Sequence, residues 1–244
     1  MPCPRCDDDG VAAPPATHDT WCLVGTPNVG KTSLINAIAG SRLQVGNWSG
    51  TTVEVATATA LVDGRPVTLV DLPGAYSLAG TSSEEDVVLP ALVGSPDALV
   101  VNVVDATHLA RDLTLTLELA ELDRPMVVAL NLVEQAAARG VSLDAAALEA
   151  ALGVPVVALA DHRRFGAAAL VAAARRACRP RIAVAYPPAI VDAVAHVGAA
   201  FADRWHALAA LADELPQVAA AAPRTAIADL KACHALACSR NRAR

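Results

Sequence analysis

The residues best suited to chemistry lie in a glycine-bearing loop near the start of the chain. The loop has the pattern G-x-x-x-x-G-K-T and is called the phosphate loop below; its residues are Gly25, Thr26, Pro27, Asn28, Val29, Gly30, Lys31 and Thr32. Glycines let successive backbone N–H groups turn towards one anion, and the N-terminus of a following helix adds positive potential. Lys31 can reach the β and γ phosphates of a nucleotide, and the Thr32 hydroxyl can bind Mg²⁺. The pattern therefore predicts a site for a nucleoside triphosphate.

The segments on either side of the phosphate loop are a predicted strand and a predicted helix. Residues 21–24 are apolar and predict the strand, and the helix is expected over 33–39, with Gly40 as its end. Ser33, which opens this helix, is also a candidate nucleotide-binding residue. The order strand, loop, helix separates a phosphate-binding loop from a glycine-rich turn that arose by chance.

A second motif, D-x-x-G, follows a predicted strand over 67–71. Its residues are Asp71, Leu72, Pro73 and Gly74. At the end of a strand near a phosphate loop, Asp71 can order the water shell of Mg²⁺, and the N–H of Gly74 can reach a γ-phosphate. Asp63-Gly64 separates this strand from another over 53–61 and predicts a hairpin, so the two strands should be antiparallel.

Strands and helices alternate over the rest of the first 178 residues. The remaining predicted strands are 98–105, 125–130 and 154–159, and the remaining helices are 109–122, 143–152 and 166–177. The continuous apolar run of 98–105 is typical of a parallel strand that is covered on both faces. We therefore expect a three-layer α/β fold with a mixed, mostly parallel sheet of six strands, in which only 53–61 is antiparallel.

The composition changes at both ends of this region. Residues 1–19 contain four prolines and an acidic cluster and are expected to form a flexible leader. Residues 20–178 are expected to form the nucleotide-binding domain. Residues 181–240 are rich in alanine and are expected to form a small helical domain, with breaks at Pro216 and Pro223.

Charge and hydropathy narrow the classes of function. The formal net charge of −6 argues against binding to nucleic acid, because proteins that bind nucleic acid normally have a basic face. No apolar run approaches the roughly 18 residues that a membrane span needs, and the acidic amino terminus does not look like a secretory signal. We therefore expect a cytoplasmic chain with free thiols. Two interpretations stay open for the terminal cysteines, which are either incidental or part of a zinc site; the residues concerned are Cys3, Cys6, Cys233, His234 and Cys238.

The ordered motifs resemble those of small guanine-nucleotide-binding proteins, and more specifically the cytoplasmic part of the FeoB ferrous-iron transporters. The residues that carry the resemblance are the phosphate loop, 45–54 with its Val-Gly-Asn-Trp sequence, 71–78, 83–85, 102–106 and 152–157. Ordinary small GTPases have nothing like Val-Gly-Asn-Trp at that place. The resemblance extends over about residues 21–177. It is looser over 181–240, where Tyr186-Pro187 and Arg204-Trp205 are similar to that family's helical regulatory domain.

The resemblance implies a GTP-binding switch with slow hydrolysis. By position, Thr52 belongs to the first switch with Gly50 and Thr51 and binds Mg²⁺, whereas Asp71 and Gly74 belong to the second switch. Lys31, Thr52 and Gly74 are the implied catalytic residues. Asn28 matches an asparagine that is associated with the use of K⁺ in related GTPases. Ala75 stands where Ras-like enzymes have a glutamine that orients water, and the FeoB family also lacks that glutamine.

The family also implies a partner in the membrane. In FeoB proteins a permease of several membrane helices follows the helical domain, and the present sequence ends at Arg244 without one. Two alternatives stay open: the permease is lost, or it is encoded separately or fused in relatives. In the second case we expect this chain at the inner face of the cell membrane through that partner.

The residues expected to recognise the base depart from the family pattern. The first group follows the strand 125–130 and comprises Asn131, Leu132, Val133 and Glu134; the second follows the last strand and comprises Ala160, Asp161 and His162. Glu134 replaces the usual aspartate, and Asp161 could repel guanine O6. Three functions therefore stay open: a GTP switch of iron uptake, a degenerate nucleotide-binding interaction module, and a GTPase of RNA or ribosome assembly.

Overall fold

The structure, a computed structural model, describes residues 18–40, 44–47, 54–78, 87–160, 165–182 and 238–240. Its strands are β1 (Thr20–Gly25), β2 (Gln44–Asn47), β3 (Glu54–Val62), β4 (Arg65–Asp71), β5 (Leu99–Asp105), β6 (Met126–Asn131), β7 (Val141–Leu143), β8 (Val156–Ala158) and β9 (Cys238–Arg240). Its α-helices are α1 (Lys31–Ala39), α2 (Val88–Val93), α3 (Leu109–Ala120), α4 (Val133–Ala138), α5 (Ala145–Leu152) and α6 (Phe165–Ala174).

Seven strands form one mixed sheet in the order β2-β3-β4-β1-β5-β6-β8. The pairs β4–β1, β1–β5, β5–β6 and β6–β8 are parallel, and β3 is antiparallel to both of its neighbours. Asp63 and Gly64 have φ angles of 53° and 77°, so the β3–β4 connection is the tight hairpin that Asp-Gly favours. The α/β fold with a mostly parallel sheet is confirmed.

The sheet has seven strands, one more than expected, because β2 adds to its edge beside β3. Its backbone pairs with β3 from Gln44↔Thr57 to Asn47↔Glu54. An edge strand of four residues is held by backbone hydrogen bonds to one neighbour, so it needs no apolar alternation in its sequence. Periodicity therefore did not indicate it.

The sheet separates two apolar cores. The larger core packs α2, α3 and α5 against side chains such as Cys22, Val100 and Val128, and the second packs α1 and α6 against side chains such as Leu23, Val101 and Val127. Every residue of β5 is buried, as expected of a parallel strand that is covered on both faces. The three layers bring the carboxyl ends of β1, β4 and β6 to one edge, and ligands bind at this edge in open α/β sheets.

Residues 238–240, which were expected to belong to a helical domain, form a strand. Cys238–Arg240 forms β9, antiparallel to β7, and Val141 pairs with Arg240. This three-residue pairing depends on a partner far away in the sequence, so a local pattern could not indicate it. The predictions for residues 1–17 and 183–237 lie outside the described residues.

Candidate nucleotide-binding site

The phosphate loop connects β1 to α1 through two residues with left-handed backbone conformations. Asn28 has a φ of 61° and Gly30 a φ of 97°. Asparagine tolerates this region better than most residues with a side chain, and glycine adopts it freely. Left-handed residues in a turn direct consecutive N–H groups to one side, and such a nest favours an anion.

Lys31 folds back into the loop that it follows. Its ammonium donates to the carbonyl oxygens of Gly25 at 3.0 Å and Thr26 at 3.3 Å, and the residue is only 8% exposed. Burial lowers the pKa of Lys31, whereas the nearby carboxylates of Asp71 and Asp112 raise it. The loop therefore holds a poorly solvated cation, which interacts more strongly with an anion than a cation in water does.

Asn131, which was expected to recognise the base, also contacts the phosphate loop. Its amide donates to the Val29 carbonyl at 2.6 Å, and its side-chain oxygen accepts from the Leu132 N–H at 2.9 Å. A Cβ atom at Gly30 would lie 2.6 Å from the Asn131 amide nitrogen, so a side chain at position 30 would displace the amide that contacts Val29. The end of β6 thus supports the loop from one side.

Thr32 and Asp71 supply the oxygen atoms expected at a magnesium site. The Thr32 hydroxyl donates to the Asp71 carboxylate at 2.5 Å. Burial raises the pKa of Asp71, while the Thr32 hydrogen bond and the charge of Lys31 lower it. A hydroxyl and a carboxylate are hard oxygen ligands of the kind that Mg²⁺ prefers, so these residues fit that ion.

We expect Asp71→Asn to stabilise the nucleotide-free protein relative to wild type above about pH 4. The folded wild type keeps the Asp71 proton to a higher pH than the unfolded chain does, so its stability falls as the pH rises through the raised pKa. Asparagine has no charge to desolvate and still accepts from Thr32. Thermal unfolding of both proteins across the pH range measures the difference, expected to be about 2 °C at neutral pH. A difference that does not change with pH would contradict the assignment to this carboxyl.

The D-x-x-G motif lies directly against the phosphate loop. Residues 71–78 are called the switch segment below. A Cβ atom at Gly74 would lie 2.7 Å from the Pro27 Cα atom, so glycine is needed for this close approach. The N–H groups of Leu72 and Ala75 donate to Leu23 and Gly25 carbonyls, each at 3.2 Å. Ala75 is fully buried and has no polar side-chain group that could orient a water molecule.

The structure describes the first group of expected base-recognition residues but only one member of the second. Leu132 has a left-handed φ of 59° and precedes α4, whose first turn contains Val133 and an exposed Glu134. Ala160 is exposed after β8. The other expected site residues lie outside the described part of the chain; they are Gly50, Thr51, Thr52, Asp161 and His162.

One residue that contacts the loop could not be identified from the sequence pattern. Asp112 in α3 is 2% exposed, and its carboxylate accepts from the Thr26 hydroxyl at 2.9 Å. The available signal was the position of an acidic residue on the leucine-rich face of a predicted helix, between Leu109 and Leu113. Hydrophobic periodicity identifies a helix by its apolar face. A single carboxylate on that face does not change the helix prediction, so Asp112 was not recognised as a site residue.

The described residues contain neither a metal cluster nor a membrane-spanning helix. No group of three or more His, Cys, Asp or Glu side chains in those ranges could hold a metal ion. Of the residues considered for a zinc site, Cys3, Cys6, Cys233 and His234 lie outside those ranges. No described helix is long and apolar enough to cross a membrane.

Comparison with known proteins identifies the family. The family model described as ferrous iron transport protein B matches residues 19–174. The Fe(2+) transporter FeoB of Methanocaldococcus jannaschii is 44% identical over 100 residues, which are 41% of this chain and 15% of that protein. The chain thus matches only a small part of the length of its curated relatives.

Two solved structures are similar over nearly the whole chain. The cytosolic domain of L. pneumophila FeoB has a TM-score of 0.78 and 30% identity, and the match covers 90% of this chain and 99% of that one. An S. thermophilus NFeoB mutant bound to GDP has a TM-score of 0.76 and 28% identity, with the same coverage. The resemblance found in the sequence is therefore confirmed, and the chain belongs to the family of ferrous iron transport protein B, of which it represents the N-terminal domain with the P-loop GTPase fold.

Proposed function

We propose that this chain is a GTP-binding switch that hydrolyses GTP slowly and regulates ferrous-iron uptake. The observation that carries the proposal is the support of one phosphate loop from three sides. Lys31 lies inside the loop, Asn131 holds the Val29 carbonyl, and Gly74 lies against Pro27. An S. thermophilus relative of this fold binds GDP, which supports a guanine nucleotide as the ligand.

Two cations are part of the proposal. Thr32 and Asp71, with Thr52 by the family resemblance, would hold Mg²⁺, which neutralises charge on the β and γ phosphates when it is bound. Asn28 would provide an amide oxygen to K⁺; its side chain is exposed on the loop. Slow hydrolysis follows from Ala75, because no side-chain group at that position can orient the attacking water.

The proposed domain limits are a leader over 1–19, the GTP-binding domain over 20–178 and a helical domain over 181–240. The N–H of Met126 donates to the Cys178 carbonyl at 3.0 Å, and that of Arg181 donates to the Leu152 carbonyl at 3.1 Å. Backbone hydrogen bonds therefore tie the chain to the GTP-binding domain up to about the proposed end of that domain. We propose that the chain acts at the cytosolic face of the membrane with a ferrous-iron permease, since its L. pneumophila relative is a cytosolic domain.

The function is tested by calorimetric titration of the full chain with GTP, GDP and ATP in the presence of Mg²⁺. We expect GTP and GDP to bind more tightly than ATP, and phosphate to be released from GTP at about 10⁻⁴ to 10⁻² per second. Equal binding of GTP and ATP without phosphate release would favour the degenerate interaction module. Failure of all three nucleotides to bind would contradict the proposal.

Potassium is expected to accelerate GTP hydrolysis severalfold more than sodium does. The ion would add positive charge between the phosphates, where Ala75 leaves the site without a catalytic side chain of its own. Phosphate release is measured in the two chloride salts at matched ionic strength. Asn28→Ala should remove the difference between the two salts. Asn28→Gly also lacks the amide oxygen and should give the same result, and it controls for backbone strain because glycine adopts the left-handed conformation freely. Equal rates for wild type in both salts would count against this site.

Glu134→Asp is expected to tighten GTP and GDP binding while leaving ATP binding unchanged. Aspartate places the carboxylate one methylene nearer to the backbone. This is the distance at which the usual aspartate of the family accepts hydrogen bonds from guanine. The expected gain is about 1 kcal/mol, or severalfold in the dissociation constant. Calorimetry with the three nucleotides measures it. Weaker GTP binding would mean that the site has adapted to glutamate, and no change would mean that residue 134 does not contact the base.

A further inference from the structure

Asp112 connects the phosphate loop to the start of α3. One carboxylate oxygen, Oδ2, accepts from the Thr26 hydroxyl and from the Asp105 N–H, both at 2.9 Å. The other oxygen, Oδ1, accepts from the Arg111 Nε at 2.8 Å. A buried carboxylate of this kind is stable only when its lone pairs are satisfied, so loop, strand and helix are held in one arrangement.

Arg111 extends this network to the switch segment. Its side chain is 46% exposed, and its guanidinium carbon lies 5.3 Å from the centre of the Tyr76 ring. A cation at this distance from an aromatic face is attracted to the ring. Tyr76 follows Gly74 by two residues, so Arg111 contacts the segment that is expected to sense the γ-phosphate.

Glu118, two turns further along α3, holds the next residues of the switch segment. Its carboxylate accepts from the Ser77 hydroxyl at 3.0 Å and from the Leu78 N–H at 2.6 Å. Arg111 and Glu118 are seven residues apart and so lie on the same face of the helix. Residues 76–78 are thus fastened to α3 at two places, while residues 74 and 75 lie against the phosphate loop.

We propose that the Arg111–Asp112 pair couples the phosphate loop to the switch segment, with Asp112 as a positioning residue for the loop and Arg111 for the switch. This inference rests on the proposed binding of GTP. Both nucleotides would occupy the phosphate loop, but only GTP has a γ-phosphate that the Gly74 N–H of the switch segment could reach. Contacts that hold the segment in place reduce the cost of ordering it around the γ-phosphate. Arg111 therefore favours GTP over GDP.

The test compares affinities for GDP and for a non-hydrolysable GTP analogue in the full chain. Arg111→Ala should weaken analogue binding about fivefold and leave GDP binding unchanged, a size typical of coupled sites. Asp112→Asn should lower the ratio of analogue affinity to GDP affinity in the same way, because an amide oxygen can replace Oδ2 towards Thr26 and Asp105, whereas the amide nitrogen cannot accept from Arg111. The loss of its charge near Lys31 acts on both nucleotides alike. The double variant should be no worse than either single variant.

Two further variants separate coupling from a general loss of structure. Thr26→Val breaks the same connection at its loop end, so it should weaken both nucleotides and lower the affinity for the analogue further than that for GDP. Arg175→Ala breaks a similar exposed pair, that of Arg175 with Asp63 at 2.5 Å, and should leave the ratio of affinities unchanged. Arg175 is 52% exposed and is therefore matched to Arg111.

The outcomes distinguish this inference from the proposed function. A selective loss of analogue binding in Arg111→Ala and Asp112→Asn supports the coupling. An unchanged ratio of affinities, or an equal loss of both nucleotides in these variants, overturns the coupling and leaves the GTP switch standing. Wild-type protein that binds neither nucleotide overturns both.

Discussion

Lys31→Ala is expected to abolish measurable binding of GTP and GDP. Lys31 is the only side-chain cation in the phosphate loop, and its ammonium is buried against the Gly25 and Thr26 carbonyls. Hydrogen bonds to charged groups contribute about 1.5–3 kcal/mol each, so the loss of the contacts with the β and γ phosphates of GTP amounts to about 3–6 kcal/mol, and the loss of the β-phosphate contact of GDP to about half of that. The decrease in affinity is roughly two to four orders of magnitude for GTP and roughly one to two for GDP.

The measurement is calorimetric titration of wild type and variant with both nucleotides, and circular dichroism checks that the variant is folded. Thr32→Ala is the matched control in the adjacent position. It should weaken only the Mg²⁺-dependent part of binding, because it removes one oxygen ligand and leaves the loop cation in place. If Lys31→Ala bound GTP as tightly as wild type, the loop would not be a phosphate site.

Gly25→Ala is expected to destabilise the whole fold by about 3 kcal/mol. A Cβ atom at this position would lie 2.2 Å from the Val103 carbonyl oxygen, and the neighbouring strand β5 is buried at the centre of the sheet. A backbone atom cannot move aside as the end of a side chain can. The strands β1 and β5 must therefore separate, or the phosphate loop must start from a different position.

Chemical denaturation measures the change in the free energy of unfolding. Gly40→Ala provides the control, since Gly40 has a φ of 61° but a Cβ atom added there would meet no other part of the described chain within 4 Å. Its cost should be that of the left-handed backbone alone, about 1 kcal/mol. A cost at Gly25 no larger than the cost at Gly40 would contradict the steric argument.

The local patterns of the sequence predicted most of the fold. The apolar run of β5, the leucine spacing of α3 and the Asp63-Gly64 turn each correspond to an element found in the structure. These signals depend on residues that are close in sequence, and burial on one or two faces is enough to produce them. The edge strand β2 and the pair β7–β9 depend on backbone pairing between separated segments, so their sequences contain no comparable signal.

The sequence by itself determined the chemistry of the phosphate loop. Glycines, lysine and threonine at this spacing between a strand and a helix are seldom found except where a phosphate binds. The tertiary structure decided which side chains support that loop. Asn131, Gly74 and Asp112 come from three other parts of the chain, and the sheet order brings them to Val29, Pro27 and Thr26. Such contacts arise only when strands that are distant in sequence become neighbours. For this reason the role of Asp112 could be recognised only after the strands and α3 had been placed in space.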